Sequence, residues 1–510
     1  MNQFARTCKC VSVSIFSLAR PFSNFAFIEK FFVQSHPLQR IFSQIRANKG
    51  QTLVMETLGP SDELKEEDED LFTVCQNNFI GAQAFRLSFF KSSFALETDI
   101  EKQETNAFLG YAIVKIERFL GLSRSRVYES VICGSGHRHN YVRGLQDWSS
   151  SVADSVFTTK GWLYAQQSHH TNVCAHVALK TALGRYAPEI TYRKMNQLAG
   201  IGLTDVSQGM SIVQMLKVLD GCGVNYIVGD YQSLSGKAIG IPFQKFIYNC
   251  IESGFPSIVG FGTTAGQALH AIPVFGHTFN EDTWVPRAES SYFKVGPNTR
   301  YLPSESWVSM YIAHDDNWGS TFCVPREYLS EQLAYVIGTY PKEFQMNPIV
   351  AEVVGADYLF TIIRQLAPGT WSDRLQLFHK KQLSVLRLIQ ITKEGYAQHL
   401  EKVSDWEGNK IDPYVAAAIR GIAHDKLWMI ELSIPELFSA NKRKLAEVIL
   451  RTDVPFTNKR DFKSFILARV PSMLAIYDPD SSPDAPKFQF LPSGCHSHVE
   501  IYNCEDEKDI

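Results

Sequence analysis

Between residues 174 and 314 the chain reads as helices first and then as a group of strands. That order constrains the fold more than any other feature. Ala178, Leu179, Ala182 and Leu183 share one side of a helix expected over 175–183. Further helices are expected over 210–219, after Ser207, Gln208 and Gly209, and over 243–251, where Gly254 and Pro256 stop it. A strand over 224–228 follows the Gly221 and Gly223 turn. Short apolar runs at 257–261, 270–277, 291–295 and 308–314 then read as strands. This is an α+β pattern rather than a doubly wound one.

The 510 residues allow several domains at about 150 residues each. Residues 1–54 differ from the rest. They carry Arg6, Lys9, Arg20, Lys30, Arg40, Arg46 and Lys49 against Glu29 alone, and are rich in Ser and Phe. That composition fits an organellar targeting segment, or sequence upstream of a start at Met55. Residues 61–70 form an acidic run expected to be solvated. Residues 1–70 are therefore expected to lie outside the fold, with order beginning near Leu71. Strands expected over 111–117 and 127–132, able to pair, and loops at 134–140 and 147–154 make a small mixed domain over 71–153. The α+β core is expected over 154–326. A C-terminal mixed domain follows over 327–510, with helices at 375–391 and 442–450 and a strand at 427–432.

Several classes are excluded. The net charge of -3 gives no nucleic-acid footprint, and Lys442, Arg443 and Lys444 read as a solvated face. No apolar run reaches about 18 residues, so no membrane span is expected. The ten cysteines are scattered without a Cys-x-x-Cys pair. They read as free thiols of a reducing compartment, the cytoplasm, rather than as a disulfide framework. No Gly-rich phosphate loop of the Walker type occurs, and no motif sets an oligomeric state.

Cys174 stands apart from the other thiols. It ends a polar loop where a helix begins, and a helix N-terminus supplies partial positive charge that favours a thiolate. Nucleophilic catalysis also needs a base, a group that orients the base, and donors for an oxyanion. His270 heads an apolar strand and is the candidate base. Asp315, directly after the strand ending at His314, is the candidate orienter, with Asp316 as its rival. Gln167 is the candidate oxyanion donor beside the Cys174 N–H, with Gln166 as its rival. A zinc site from His169, His170, Cys174 and His176, with Cys133, His137 and His139, has ligand chemistry in its favour. Its spacing matches no common structural site, so no metal is assigned.

In the order Gln167, Cys174, His270 and Asp315 the sequence resembles the papain-like cysteine peptidases, in particular the branch that removes leader peptides from bacteriocin precursors. The stretch from Gly254 to Val259, the strand from His270 to Gly276, and Asp315-Asp316-Asn317-Trp318-Gly319 carry the resemblance, which spans 166–319. The resemblance implies a papain-like core, a helical half holding the thiolate and a twisted antiparallel sheet holding His and Asp. It implies a soluble thiol hydrolase acting on a peptide or protein through a Cys-His-Asp triad, without a cofactor. An acyltransferase of transglutaminase-like type and a non-catalytic binding or sensing module are the alternatives.

Overall fold

The computed structural model describes residues 4–20, 23–33, 35–134, 140–231, 241–262, 269–282, 293–296, 299–457, 462–482 and 485–502. The fold is α+β, built on three main sheets with helices on their faces.

The first sheet is an antiparallel meander of β1 (Cys10–Ser17), β2 (Thr52–Leu58), β3 (Phe79–Phe90), β4 (Phe108–Phe119) and β5 (Leu122–Ile132). Alternation gives it two unlike faces. One packs Leu53, Leu87, Phe89, Ala112 and Val127 against α1 (Ser23–Phe31) and α2 (His36–Ala47). The other buries Glu56, Arg86, Lys115, Glu117, Arg126 and Glu129. Helix α3 (Asp62–Cys75) neutralises part of that charged face. Its Glu67 pairs with Lys115 and Arg126, Glu63 with Lys180, and Asp70 with Arg193.

Two expectations fail here. Residues 10–58 supply two strands and two helices rather than an extension outside the fold. Leu38, Ile41, Phe42 and Ile45 follow helical spacing inside a segment whose basic composition suggested targeting. The acidic run is not simply solvated, because Glu63, Glu67 and Asp70 recur on one helical face and are buried.

After β6 (Asn140–Val142), the expected loop at 147–154 is instead a hairpin of β7 (Gln146–Val152) and β8 (Ser155–Gly161). Its serines hide the alternation, since Trp148, Ser150 and Val152 all point inward.

The second sheet uses β9 (Val224–Asp230), β10 (Ser257–Gly262) and β11 (Leu269–Thr278). Two strands, β12 (Phe293–Gly296) and β13 (Thr299–Pro303), leave for the third sheet, and β14 (Met310–Asp315), β15 (Gly319–Pro325) and β16 (Leu333–Pro341) return. The order is β15-β14-β11-β10-β16-β9, all antiparallel, with β6 also on β11. Helices α4 (Cys174–Leu183), α5 (Tyr192–Ala199) and α6 (Ile212–Gly221) pack on Ile258, Ala271 and Ile337. Helix α7 (Phe243–Ile251) packs on Val259, Ile272 and Val336, the alternate residues. The sheet runs on to Pro341, past the expected boundary at 326.

The third sheet continues from β12 and β13 through β17 (Val385–Thr392), β18 (Lys426–Ser433), β20 (Ala446–Arg451), β21 (Phe465–Val470), β22 (Met473–Tyr477) and β23 (Phe488–Pro492), with the short β19 (Arg443–Lys444) outside it. Only the β13 to β17 pairing in it is parallel. Helix α8 (Pro348–Gln365) covers one face. The helix expected over 375–391 divides into α9 (Thr370–Lys380) and β17, and the one expected over 442–450 is mostly β20. Each run contains a strand covered on two sides, where apolar residues also occupy adjacent positions (Leu388 and Ile389, Val448 to Leu450) and blur the period of two. Lys444, expected to be solvated, is buried against Glu431 and Glu447.

Candidate active site

Helix α4 begins at Cys174 because the loop before it is tied down by its own polar groups. Ser168 Oγ accepts the N–H groups of His170, Thr171 and Asn172 at 3.1, 2.8 and 3.2 Å, and Asn172 Oδ1 accepts the Ser168 N–H at 2.9 Å. Arg124 donates to the Ser168 carbonyl at 2.6 Å and Arg126 to the Gln166 carbonyl at 3.2 Å, which fastens the loop to β5. Cys174 occupies the first helical position, where a backbone N–H has no carbonyl of its own helix to bond.

His270 lies near the start of β11, and Asp315 ends the neighbouring β14. His270 Nε2 is 3.2 Å from Asp315 Oδ2 and 3.3 Å from Asp316 Oδ1. The Cys174 thiol is near enough to the same imidazole to favour its charged form. Asp315 Oδ1 accepts the N–H groups of Asn317 and Trp318 at 2.8 and 3.1 Å, so the turn after β14 fixes this carboxylate.

The two acids differ in charge state. Burial acts against the charged imidazole of His270, but its bonds to Asp315 and Cys174 and the charges of both aspartates raise its pKa to about 10. Burial also pushes Asp315 upward, yet the bond and charge of His270 and the two backbone N–H groups hold it below its ordinary value. Burial dominates at Asp316, opposed by the charge of His270 and reinforced by that of Asp315, and its pKa rises to about 7. Asp316 Oδ2 is buried without a hydrogen-bond partner.

Gln167 lines the cleft in front of Cys174, and its Nε2 donates to Asn317 Oδ1 at 3.3 Å. Gln166 faces β5, where its Oε1 accepts the Val127 N–H at 3.1 Å, so it is spent on the fold. The cleft holds about 800 Å³, with Ile201, Met210, Leu269 and Tyr335 on its walls.

Among the described residues, the side chains weighed for zinc do not form one group around Cys174, although His169 lines the same cleft. His176 is buried in the helix core, with Nε2 2.7 Å from Asn196 Oδ1 and Nδ1 accepting the Val173 N–H at 3.4 Å. His170 lies against the Phe119 ring, Cys133 packs on the first sheet, and His137 and His139 lie outside the described residues. Among the described residues, His270, Asp315 and Asp316 are the group whose ligand atoms approach within 4.8 Å of one another and could hold a metal ion. Sequence order did not point to Asn317 as the partner of Gln167. Its place in the turn after a strand is the signal that was available.

No protein-family model matches the sequence, and no curated protein matches it. Among solved structures, the peptidase domain of Streptococcus ComA, a bifunctional ABC transporter involved in a quorum-sensing pathway, is similar at 14% identity. The likeness covers 35% of this chain and 98% of that domain, with a TM-score of 0.23. No helix among the described residues is long and apolar enough to cross a membrane.

Proposed function

We propose that the protein is a papain-like cysteine peptidase with Cys174 as nucleophile. The observation that carries this reading is one imidazole, His270, with Asp315 on Nε2 and the Cys174 thiol near enough to favour its charged form, beside the cleft that Cys174 lines. Cys174 attacks the amide carbonyl as its thiolate. The oxyanion is held by the Gln167 side-chain N–H and the Cys174 backbone N–H. His270 carries its proton at neutral pH and gives it to the leaving amine as the C–N bond breaks. His270 then takes a proton from water, whose oxygen attacks the thioester and releases the Cys174 sulfur. Asp315 holds the imidazole in orientation throughout, and no cofactor takes part. A peptide or protein is the substrate class.

Alkylation with iodoacetamide at neutral pH tests this. Cys174 should be modified ahead of every other thiol, and His270→Ala should slow that reaction about a hundredfold. Cys174→Ala should abolish peptide hydrolysis. Slow, uniform labelling of all accessible cysteines sinks the reading.

A further inference from the structure

The turn that carries Asp315 is held from outside its own sheet. Arg40, on α2, donates from Nε to the Ser320 carbonyl at 3.2 Å and from Nη2 to the Thr321 carbonyl at 2.6 Å. Gln44, one helical turn on, donates to the same Ser320 carbonyl at 3.2 Å and accepts from Ser320 Oγ at 2.8 Å. The His36 and Trp318 rings pack with centroids 5.3 Å apart. Gly319 has φ +119°, and a Cβ there would come within 2.7 Å of Arg40 Cβ and 3.3 Å of Pro37 Cα. The helix and the turn therefore meet without room for a side chain.

Helix α2 is a firm support. Ser35 Oγ caps it by accepting the Leu38 N–H at 3.2 Å, and Leu38, Ile41 and Ile45 are fully buried against the first sheet. The same sheet fastens the loop before Cys174 through Arg124 and Arg126. Nucleophile loop and acid turn are thus referred to one frame, contributed by the first third of the chain.

We infer that Arg40, assisted by Gln44, is a positioning residue of the active site: by gripping the carbonyls of residues 320 and 321 it holds the Asp315 turn against His270. This rests on the proposed reading of Cys174, His270 and Asp315. Arg40 touches neither the imidazole nor the cleft. It acts through the first residues of β15, the strand that leaves the turn, where a planar fork bridging two successive carbonyls fixes direction as well as distance. Asp315, Asp316 and Cys174 are the groups that face His270. Moving the turn changes two of the three.

The test uses the full chain and needs no substrate. The His270 titration is followed by NMR of labelled histidine, assigned by its absence in His270→Ala. The alkylation rate of Cys174 is measured in parallel. Arg40→Ala should lower the His270 midpoint by about one pH unit or more and slow Cys174 alkylation at neutral pH about tenfold. Gln44→Ala should act in the same direction and less. Arg40→Lys keeps the charge and the stem but loses the fork, so it should fall between wild type and Arg40→Ala. It also serves if Arg40→Ala does not fold. Arg193→Ala breaks a different contact between helices, with Asp70, and should leave both readouts unchanged. A folded Arg40→Ala, or failing that Arg40→Lys, with the wild-type midpoint and rate overturns the inference. If Cys174 of the wild type shows no enhanced alkylation, the reading of the active site itself falls, whatever Arg40 does.

Discussion

His270 does not share its two carboxylates equally. Asp315 has backbone N–H groups on its second oxygen and stays ionised, whereas the second oxygen of Asp316 is buried and unmet. Stability should follow the signs of these shifts. The raised pKa of His270 contributes stability that is complete below its ordinary 6.5 and is lost as pH rises through about 10. Asp316 works the other way, since an acid with a raised pKa costs stability as pH climbs from 3.8 through about 7. Asp316→Asn should therefore stabilise the protein above that range, by about 1–2 kcal/mol, and hardly at all in acid. Thermal melts across pH check this, and equal shifts at both ends contradict it. Asp315→Asn should lower the His270 midpoint in the same NMR titration, because the lost charge no longer favours the imidazolium. An unchanged midpoint would leave Asp315 without that role. Motif order names Cys174, His270 and Asp315, but it cannot separate Gln166 from Gln167 or Asp315 from Asp316. Each pair differs only in where adjacent side chains point, which the strand and turn decide.

At the scale of elements, α3 shows what composition hides. Glu67 meets Lys115 and Arg126 in the interior, while Glu69, two residues on, is mostly exposed beside Arg193. Glu67→Ala leaves two buried cations without that partner and should cost about 3–5 kcal/mol in urea unfolding. Glu69→Ala should cost about 1 kcal/mol or less. Similar losses for the two would mean that the helix is not seated as described. Helices α4 and α7 and strands β10, β11 and β18 were legible within a few residues, because their periodicity and stops agree. The segments read wrongly share one cause, which is that tertiary cover overrides local pattern. Basic composition masked the buried face of α2, serines masked β7, and apolar residues at adjacent positions made β17 and β20 look helical.

At the scale of the molecule, charge joins the second and third sheets. Glu252, after α7, meets Arg143, His277 and Arg387, and Arg387 on β17 reaches Glu431 on β18. The chain continues through Lys444 and Glu447 to Arg469, all buried. Arg387→Ala takes a shared buried cation from Glu252 and Glu431 at once, although each keeps another partner, and should lower stability by about 3 kcal/mol, read by calorimetry. A loss below about 1 kcal/mol, as for exposed pairs, would show that water reaches this seam. None of this was legible in the sequence, because the partners lie far apart along it and no local pattern distinguishes a buried Arg from a surface one.

The departure of β12 and β13 from the second sheet to join the third has a consequence for how this chain can be divided. Cut after Pro341, the remainder would keep six of the strands in its eight-stranded sheet and lose the two that continue it beyond β17, where β13 pairs with Val385 and Leu386. That short opened edge, with apolar Val385 and Leu386 on it, would be free to pair with a strand of a neighbouring chain. Divided there, the C-terminal part would leave two strands of its own sheet with the body that carries Cys174.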